Sequence, residues 1–507
     1  MLIDTRKLPD KTNIKADICI IGAGAAGITM ARELSRSKLD ICVLESGDME
    51  NNSETQALYE GKNIGVEYWS LSASRLRYFG GTTNHWGGVC LPLNEDDFES
   101  REWVDGSGWP FEKADLMPFY KRAHPVVQLG KFSYNVEDWE SGNDKHIPFD
   151  GKYVVTGMLH RSPPTRFGDV YHDELDKAEN VNVYLNANAT NIETNDTASR
   201  VKRIQVVCLT GTRLSVHAKI YVLALGGIEN ARLLLLSNKT QKSGLGNQND
   251  LVGRYFADHP YISNLGFIIL NNKNRSIDLY QKGYSVSGSV INGYLTPSLG
   301  IRRREKLLST RVHIQPSALK ALKARLTTNE DFLDKIQRVF KDLSGDGEFD
   351  YITSDSQVIR FGAWTELIPN PDSRVFLGDE TDRLDQRKIV LDWRIGQDEQ
   401  MSLLRTLKII GTELGRLNLG RMKIELDEDS VWPPEKSITP GLHHMGTTRM
   451  HINPKYGVVD ENCKLHGTDN LFIAGSSVFP TYGAANPTLT ILALSLRLSD
   501  HIKELMI

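Results

Sequence analysis

Residues 17–27 read DICIIGAGAAG, and residues 28–37 continue ITMARELSRS. The first six form a short, β-rich apolar run, and AAGITMARELSRS has the spacing of a helix. A second apolar run, DICVLE, follows at 40–45. Strand, helix and strand in this order make a βαβ start. At the first strand–helix junction, Gly22, Ala23, Gly24, Ala25, Ala26 and Gly27 fit GxGxxG. Alone this pattern is weak; between a strand and a helix it is specific. Gly22 makes the tight turn, Gly24 lets backbone approach a pyrophosphate, and Gly27 lets helix and strand pack closely. Ala25 and Ala26 open a helix whose free N–H groups and positive dipole end favour phosphate. Glu45 ends the next strand, placed to accept hydrogen bonds from ribose hydroxyls and to disfavour a 2′-phosphate. Ser46 follows it on the same side.

The chain has 507 residues and a formal net charge of −4. That length implies about two or three domains. With 40% hydrophobic and 24% charged residues, the composition is that of a globular enzyme. The near-neutral balance gives no electrostatic case for nucleic acid. The run Arg302-Arg303-Arg304 reads as solvated surface. The N-terminal stretch has no signal-peptide pattern and no twin arginine. The longest apolar run, near 489–498, is too short to span a bilayer. Cys19, Cys42, Cys90, Cys208 and Cys463 are scattered without a CxxC pair, so no metal site or cluster is expected. An odd, sparse set suits a reducing compartment, and the expected location is cytoplasmic.

There are no repeats and no low-complexity tracts. KIYVLAL at 219–225 is a further strand, followed by Gly226, a second glycine and the helical ARLLLLS. NLFIA at 470–474 is another strand, and a final helix starts near Pro487. Between these, 260–300 and 350–395 alternate like strands, with turns such as PNPDSR, and 317–343 has amphipathic-helix spacing. The expected fold class is α/β plus α+β. A discontinuous Rossmann-like dinucleotide domain spans 1–95, 180–258 and 437–507. A substrate domain on an antiparallel sheet spans 96–179 and 259–436. The returning segment with Gly475 and Ser476 brings a second glycine turn to the cofactor, which suits FAD; spacing alone leaves FAD and NAD open.

Several further stretches are distinctive: GGTTNHWGG at 80–88, ALGGIENARLLLLS at 224–237, VGRYFADHP at 252–260 and TELIPNPDSRV at 365–375. The most specific are GLHHMGTTRM at 441–450 and GSSVFPTYGAANPTLT at 475–490. With GAGAAG, these make the chain resemble the glucose–methanol–choline (GMC) oxidoreductase family. The last two stretches look most like pyranose oxidases and bacterial FAD-dependent sugar dehydrogenases.

The resemblance implies FAD and alcohol oxidation. It places His443 as the base that takes the hydroxyl proton, a task suited to imidazole. It places Asn486 as the second active-site residue, whose amide would hydrogen-bond the substrate oxygen. Pro487 and Thr488 open the final helix, whose N–H groups would favour negative charge at flavin N1–C2=O. Gly80, Gly81, Asn84, His85, Trp86, Gly87 and Gly88 form a loop expected against the flavin. In sugar-oxidising relatives a histidine there is joined to the 8α-methyl carbon, which implies a covalent tether through His85; simple packing of His85 is the alternative. Ala189, with Asn188 and Thr190, is expected near the adenine. His444 is expected to pack or to touch the flavin. His259 is expected to be structural, and Glu366 and Arg374 are expected in a turn or salt bridge.

The implied reaction oxidises a sugar or glycoside hydroxyl to a carbonyl, at a secondary ring position or a primary one. Hydride goes to flavin N5, and O2 or an external acceptor then takes the electrons. A lyase on this fold, or an oxidase or dehydrogenase of non-sugar alcohols, is the alternative. No metal and no membrane span are expected, and an oligomer is open.

Overall fold

A computed structural model describes residues 1–272, 275–281, 283–314, 357–434 and 438–507. The helix expected over 317–343 lies outside the described residues. The fold is mixed α/β, with two large sheets and one small one.

The first sheet grows from the strand that ends at the glycine turn. Thr12–Ile21 is central, and its residues Ile18, Cys19, Ile20 and Ile21 are buried. An apolar run covered on both faces is what a parallel strand between helices requires. It pairs in parallel with Ile41–Leu44 on one side and with Arg213–Leu223 on the other. Beyond Ile41–Leu44 come Val181–Leu185 and Leu2–Asp4, also parallel. On the other side, Val201–Val207 and Asn188–Thr194 complete an antiparallel flank. Leu471–Ile473 returns from far down the chain to pair in parallel with Tyr221–Leu223, the end of the same strand. The helices Ala25–Leu34 and Thr488–Leu505 bury apolar faces in the core of this sheet.

The second sheet runs Gly420–Ile424, Pro260–Leu270, Gln357–Thr365, Thr310–Ile314, Ser289–Pro297, Val154–Arg161 and Val89–Cys90. The short strands Tyr284–Val286 and Ile438–Pro440 pair with Ser289–Pro297 and Pro260–Leu270. The helix Gln397–Arg416 carries Leu403, Leu407, Ile410 and Leu414 at helical spacing into a second core, against Leu295, Val312 and Ala363. Side chains alternate across a strand. Tyr294, Arg311, His313 and Trp364 therefore fall on the opposite face, away from that helix. The small sheet joins Arg374–Thr381, Arg387–Asp392 and Gly61–Asn63.

Several segments sit across the expected domain bounds, four of them in the two large sheets and the helices beside them. Val89–Cys90 and Ile438–Pro440 lie in stretches expected on the nucleotide side, yet both are strands of the antiparallel sheet. The helices Lys113–Val126 and Phe167–Lys177 lie in the expected substrate part, yet Leu116, Tyr120, Phe167 and Leu175 pack into the first core. Amphipathic helices cover whichever apolar surface is nearest, and no shift in composition marks that choice.

Candidate functional site

A cavity of about 370 Å³ opens where the glycine turn, the 80–88 loop and the C-terminal segments converge. Gly22 has φ +109°. A side chain at Gly27 would put a Cβ 1.9 Å from the Gly22 carbonyl oxygen, so this pair holds helix and strand at contact distance. Gly24 is different: a Cβ there, as at Gly87, Gly226 and Gly475, would meet nothing within 4 Å. These four present bare backbone to open space, a cradle in which an extended ligand can lie against main chain.

The helices Ala25–Leu34 and Thr488–Leu505 both start at this cavity. Gly24 caps Ala25–Leu34 and Pro487 caps Thr488–Leu505, in both cases without a side-chain hydrogen bond. Their first-turn N–H groups are left for a ligand. Pro487 stands one position before the helix, and its carbonyl accepts from the Ile491 N–H at 2.8 Å. Glu45 is buried and held in place by the N–H groups of Ala23 at 3.0 Å and Gly47 at 2.8 Å.

The 80–88 loop lies directly on the glycine turn. The Gly80 N–H donates to the Ala23 carbonyl at 2.9 Å, and a Cβ on Gly81 would come 3.1 Å from the Gly24 Cα. Asn84 turns inward and donates to the Phe79 carbonyl at 2.9 Å, shaping the loop. Trp86 is anchored by its indole N–H on the Thr165 carbonyl at 2.9 Å. His85 is exposed to the cavity that it lines; partial desolvation and the Arg166 cation hold its pKa below the usual histidine range.

His443 reaches the cavity from a loop tied down by one carboxylate. Asp258 accepts from the N–H groups of Leu442 at 2.9 Å, His443 at 2.9 Å and His259 at 2.7 Å. Its fourth donor is the Tyr68 hydroxyl at 2.5 Å. Burial pushes the Asp258 pKa up to about 6. The loop then runs between two neighbours: Met445 exchanges backbone hydrogen bonds with Ala257, and Gly446, Thr448 and Met450 donate to 476–478. Three of the distinctive stretches, 252–260, 441–450 and 475–490, are thereby bound into one unit. The His443 Nε2 lies 3.0 Å from the Asn486 amide nitrogen. Its Nδ1 lies 2.9 Å from the His259 Nδ1. Burial, with His259 and the Arg311 cation nearby, pushes the His443 pKa well below its ordinary value. The imidazole is therefore neutral at neutral pH and holds a lone pair.

Of the expected residues, the cavity brings together Gly22, Gly24, Ala25, Ala26, Glu45, Ser46, Gly81, His85, Trp86, Gly87, Gly88, Gly226, His443, Gly475, Ser476, Asn486, Pro487 and Thr488. Gly27, Gly80 and Asn84 stand behind its wall. Ala189 lines a separate cavity of about 40 Å³ with Asn188, Thr190 and Ser46. His444 also lines the main cavity, between Tyr68 and Phe256; burial pushes its pKa down to about 3. Glu366 does not line the main cavity and pairs with Arg101, both fully buried, at 2.5 Å. His259 contacts His443 and is more than the structural residue expected. Tyr59 and Arg75 at the cavity, and Arg311 behind Asn486, carry no signal in the sequence. Among the described residues no cluster of His, Cys, Asp or Glu could hold a metal, and no helix is long and apolar enough to cross a membrane.

Residues 369–495 match the family model described as GMC oxidoreductase. That stretch is a GMC oxidoreductase C-terminal domain. It is similar over nearly its whole length to the fructose dehydrogenase large subunit of Gluconobacter japonicus, at 24% identity covering 96% of this chain and 98% of that one. It is similar to the 6'''-hydroxyparomomycin C oxidase of Streptomyces lividus, at 25% identity covering 96% and 91%. Among solved structures, the formate oxidase of Aspergillus oryzae superposes with a TM-score of 0.57 at 15% identity, covering 98% of this chain and 99% of that one. The pyridoxine 4-oxidase structure gives a TM-score of 0.55 at 17% identity, covering 96% and 99%. The chain is an FAD-dependent enzyme acting on CH–OH groups. The glycine cradle, the two uncapped helix starts and Glu45 are a donor set that fits FAD.

Proposed function

We propose that this enzyme oxidises a hydroxyl of a sugar or glycoside to a carbonyl. FAD, when bound, supplies the hydride acceptor. The neutral His443 Nε2 takes the hydroxyl proton, and the Asn486 amide donates to the oxygen as charge develops there. The observation that carries this reading is the 3.0 Å pair of His443 Nε2 and Asn486 Nδ2 on the cavity that the open glycines cradle. The sugar class is supported by the relatives, which include the fructose dehydrogenase subunit and, over a 64-residue stretch at 41% identity, a C-glycoside 3-oxidase of Microbacterium trichothecenolyticum.

In this reading 1–95, 180–258 and 437–507 hold FAD, 96–179 and 259–436 face the substrate, and the crossing segments form the seam. His85, exposed on the cavity wall in a loop pinned to the glycine turn, is the residue for a covalent flavin link. Acid-precipitated protein is expected to keep its yellow colour; a colourless pellet under a yellow supernatant removes the link.

The experiment is an anaerobic panel of monosaccharides, glycosides and aminosugars, followed by flavin absorbance, with O2 admitted afterwards. Bleaching identifies the substrate and excludes a lyase; the speed of reoxidation separates oxidase from dehydrogenase. Reduction by simple alcohols but by no sugar would overturn the substrate class.

A further inference from the structure

His443 stands in a row of five groups. Arg311 Nη2 lies 2.9 Å from Asn486 Oδ1, and Asn486 Nδ2 lies 3.0 Å from His443 Nε2. His443 Nδ1 lies 2.9 Å from His259 Nδ1, and His259 Nε2 lies 2.8 Å from the Gly483 carbonyl oxygen. The two ends leave no choice of direction. A guanidinium only donates, so Asn486 must turn its oxygen to Arg311 and its NH2 to His443. A carbonyl only accepts, so His259 must carry its proton on Nε2. Neutral His259 then has a bare Nδ1, which accepts from an Nδ1–H of His443. Neutral His443 with its proton on Nδ1 has a bare Nε2. Every hydrogen bond thus points the same way, from Arg311 to Gly483.

We propose that His259 and Arg311 are positioning residues that set the protonation pattern of the reacting pair. His259 forces His443 to hold its lone pair on Nε2, and Arg311 forces Asn486 to present N–H rather than C=O. A hydroxyl entering between them donates to Nε2 and accepts from the amide. The reverse arrangement, with Nε2–H and an outward amide oxygen, would face the hydroxyl with nothing able to take its proton. His259 is fully buried, and burial with the Arg311 cation pushes its pKa down to about 4, so it stays neutral and keeps Nδ1 an acceptor. Arg311 is buried as well, and its Nε and Nη1 find no partner among the described residues. A cation is placed there at a cost that surface exposure would avoid.

This inference rests on His443 being the proton acceptor, and its test separates the two. In FAD-loaded protein labelled with 15N-histidine, long-range proton–nitrogen correlation reads the tautomer of each ring without turnover. The resonance lost in His443→Gln is expected to show Nδ1–H and a bare Nε2. His259, assigned through His259→Asn, is expected to show the opposite pattern. An Nε2–H on His443 overturns the proposal whatever the activity. In rapid mixing with a reducing alcohol, His259→Phe is expected to slow flavin reduction about 10- to 100-fold at saturating substrate. His259→Asn keeps an oxygen acceptor near the same position and is expected within about threefold of the parent. An unchanged rate in His259→Phe, or equal slowing in both FAD-loaded variants, overturns it. If no alcohol reduces the parent flavin, the proposed activity fails while the spectrum still decides the tautomer.

Discussion

The parallel sheet meets the cavity with main chain, whereas the antiparallel sheet and its loops meet it with side chains. On the first side are Gly22, Gly24, Gly226 and Gly475, with two bare helix starts. On the second are His443, His259 and Arg311, whose side chains close by hydrogen bonds on Asn486 at the head of the final helix. Backbone donors suit a ligand that is always the same and stays bound. Side-chain donors and acceptors suit a reacting hydroxyl, because their protonation and orientation can be set one group at a time. Five substitutions probe this contrast, beginning with the largest expected effect.

Arg101→Met tests the side-chain half at its most buried point. It leaves Glu366 as a lone carboxylate with essentially no solvent. Loss of one partner of such a pair costs about 3–5 kcal/mol, read as a fall in chemical-denaturation stability. No loss would mean that Glu366 simply protonates.

Gly27→Ala and Gly24→Ala divide the backbone half. The first drives a Cβ into the Gly22 carbonyl, and neither backbone can yield. A stability loss of about 3 kcal/mol is expected, with poor FAD retention. The second puts a methyl into the open cradle, so the thermal transition of FAD-free protein is expected within about 0.5 kcal/mol of the parent while FAD binding weakens. Identical behaviour of the two variants would erase the distinction between packing glycines and cofactor-facing ones.

Arg311→Met is expected to keep FAD and slow its reduction about tenfold or more, since the Asn486 amide is then free to flip. A stopped-flow trace matching the parent would remove Arg311 from the site.

The last effect concerns pH. His124, on the helix Lys113–Val126, packs against His160 of the antiparallel sheet. Burial, with His160 next, pushes its pKa down to about 4. Its ordinary value is about 6.5 in the unfolded chain. The unfolded chain therefore binds this proton first, and the stability that neutral His124 contributes is present above about pH 6.5 and lost as pH falls towards 4. Between pH 7.5 and 5, the parent is expected to lose about 2 kcal/mol more than His124→Asn. Parallel curves for the two proteins would show that His124 stays uncharged in neither state differentially.

The same contrast explains what could be read from the sequence. Gly22, Gly24 and Gly27 were legible because a backbone approach leaves a fixed spacing within one local strand–turn–helix. His443 and Asn486 stood out through their matching stretches. His259 was read as structural because its contact with His443 spans 184 residues and joins two side chains, which no local pattern records. Arg311 lies in TRVHI, an ordinary alternating strand, and nothing there says which face meets the site. Asn84 was placed at the flavin on the strength of its loop, but its amide is spent on the Phe79 carbonyl. The packing of the helices Lys113–Val126 and Phe167–Lys177 into the first core was not legible for a related reason: amphipathicity predicts that a face is buried, not what buries it.

The strand Leu471–Ile473 adds a matter of timing. It lies beside Tyr221–Leu223 at the sheet end where the glycine turn begins, and His443 and Asn486 flank it in sequence. During translation the nucleotide half cannot complete its sheet until that strand has left the ribosome. The early strands Thr12–Ile21 and Ile41–Leu44 must wait, with their apolar faces incompletely covered, for more than four hundred further residues. The cofactor-facing end of the sheet is therefore completed only late in the life of the nascent chain.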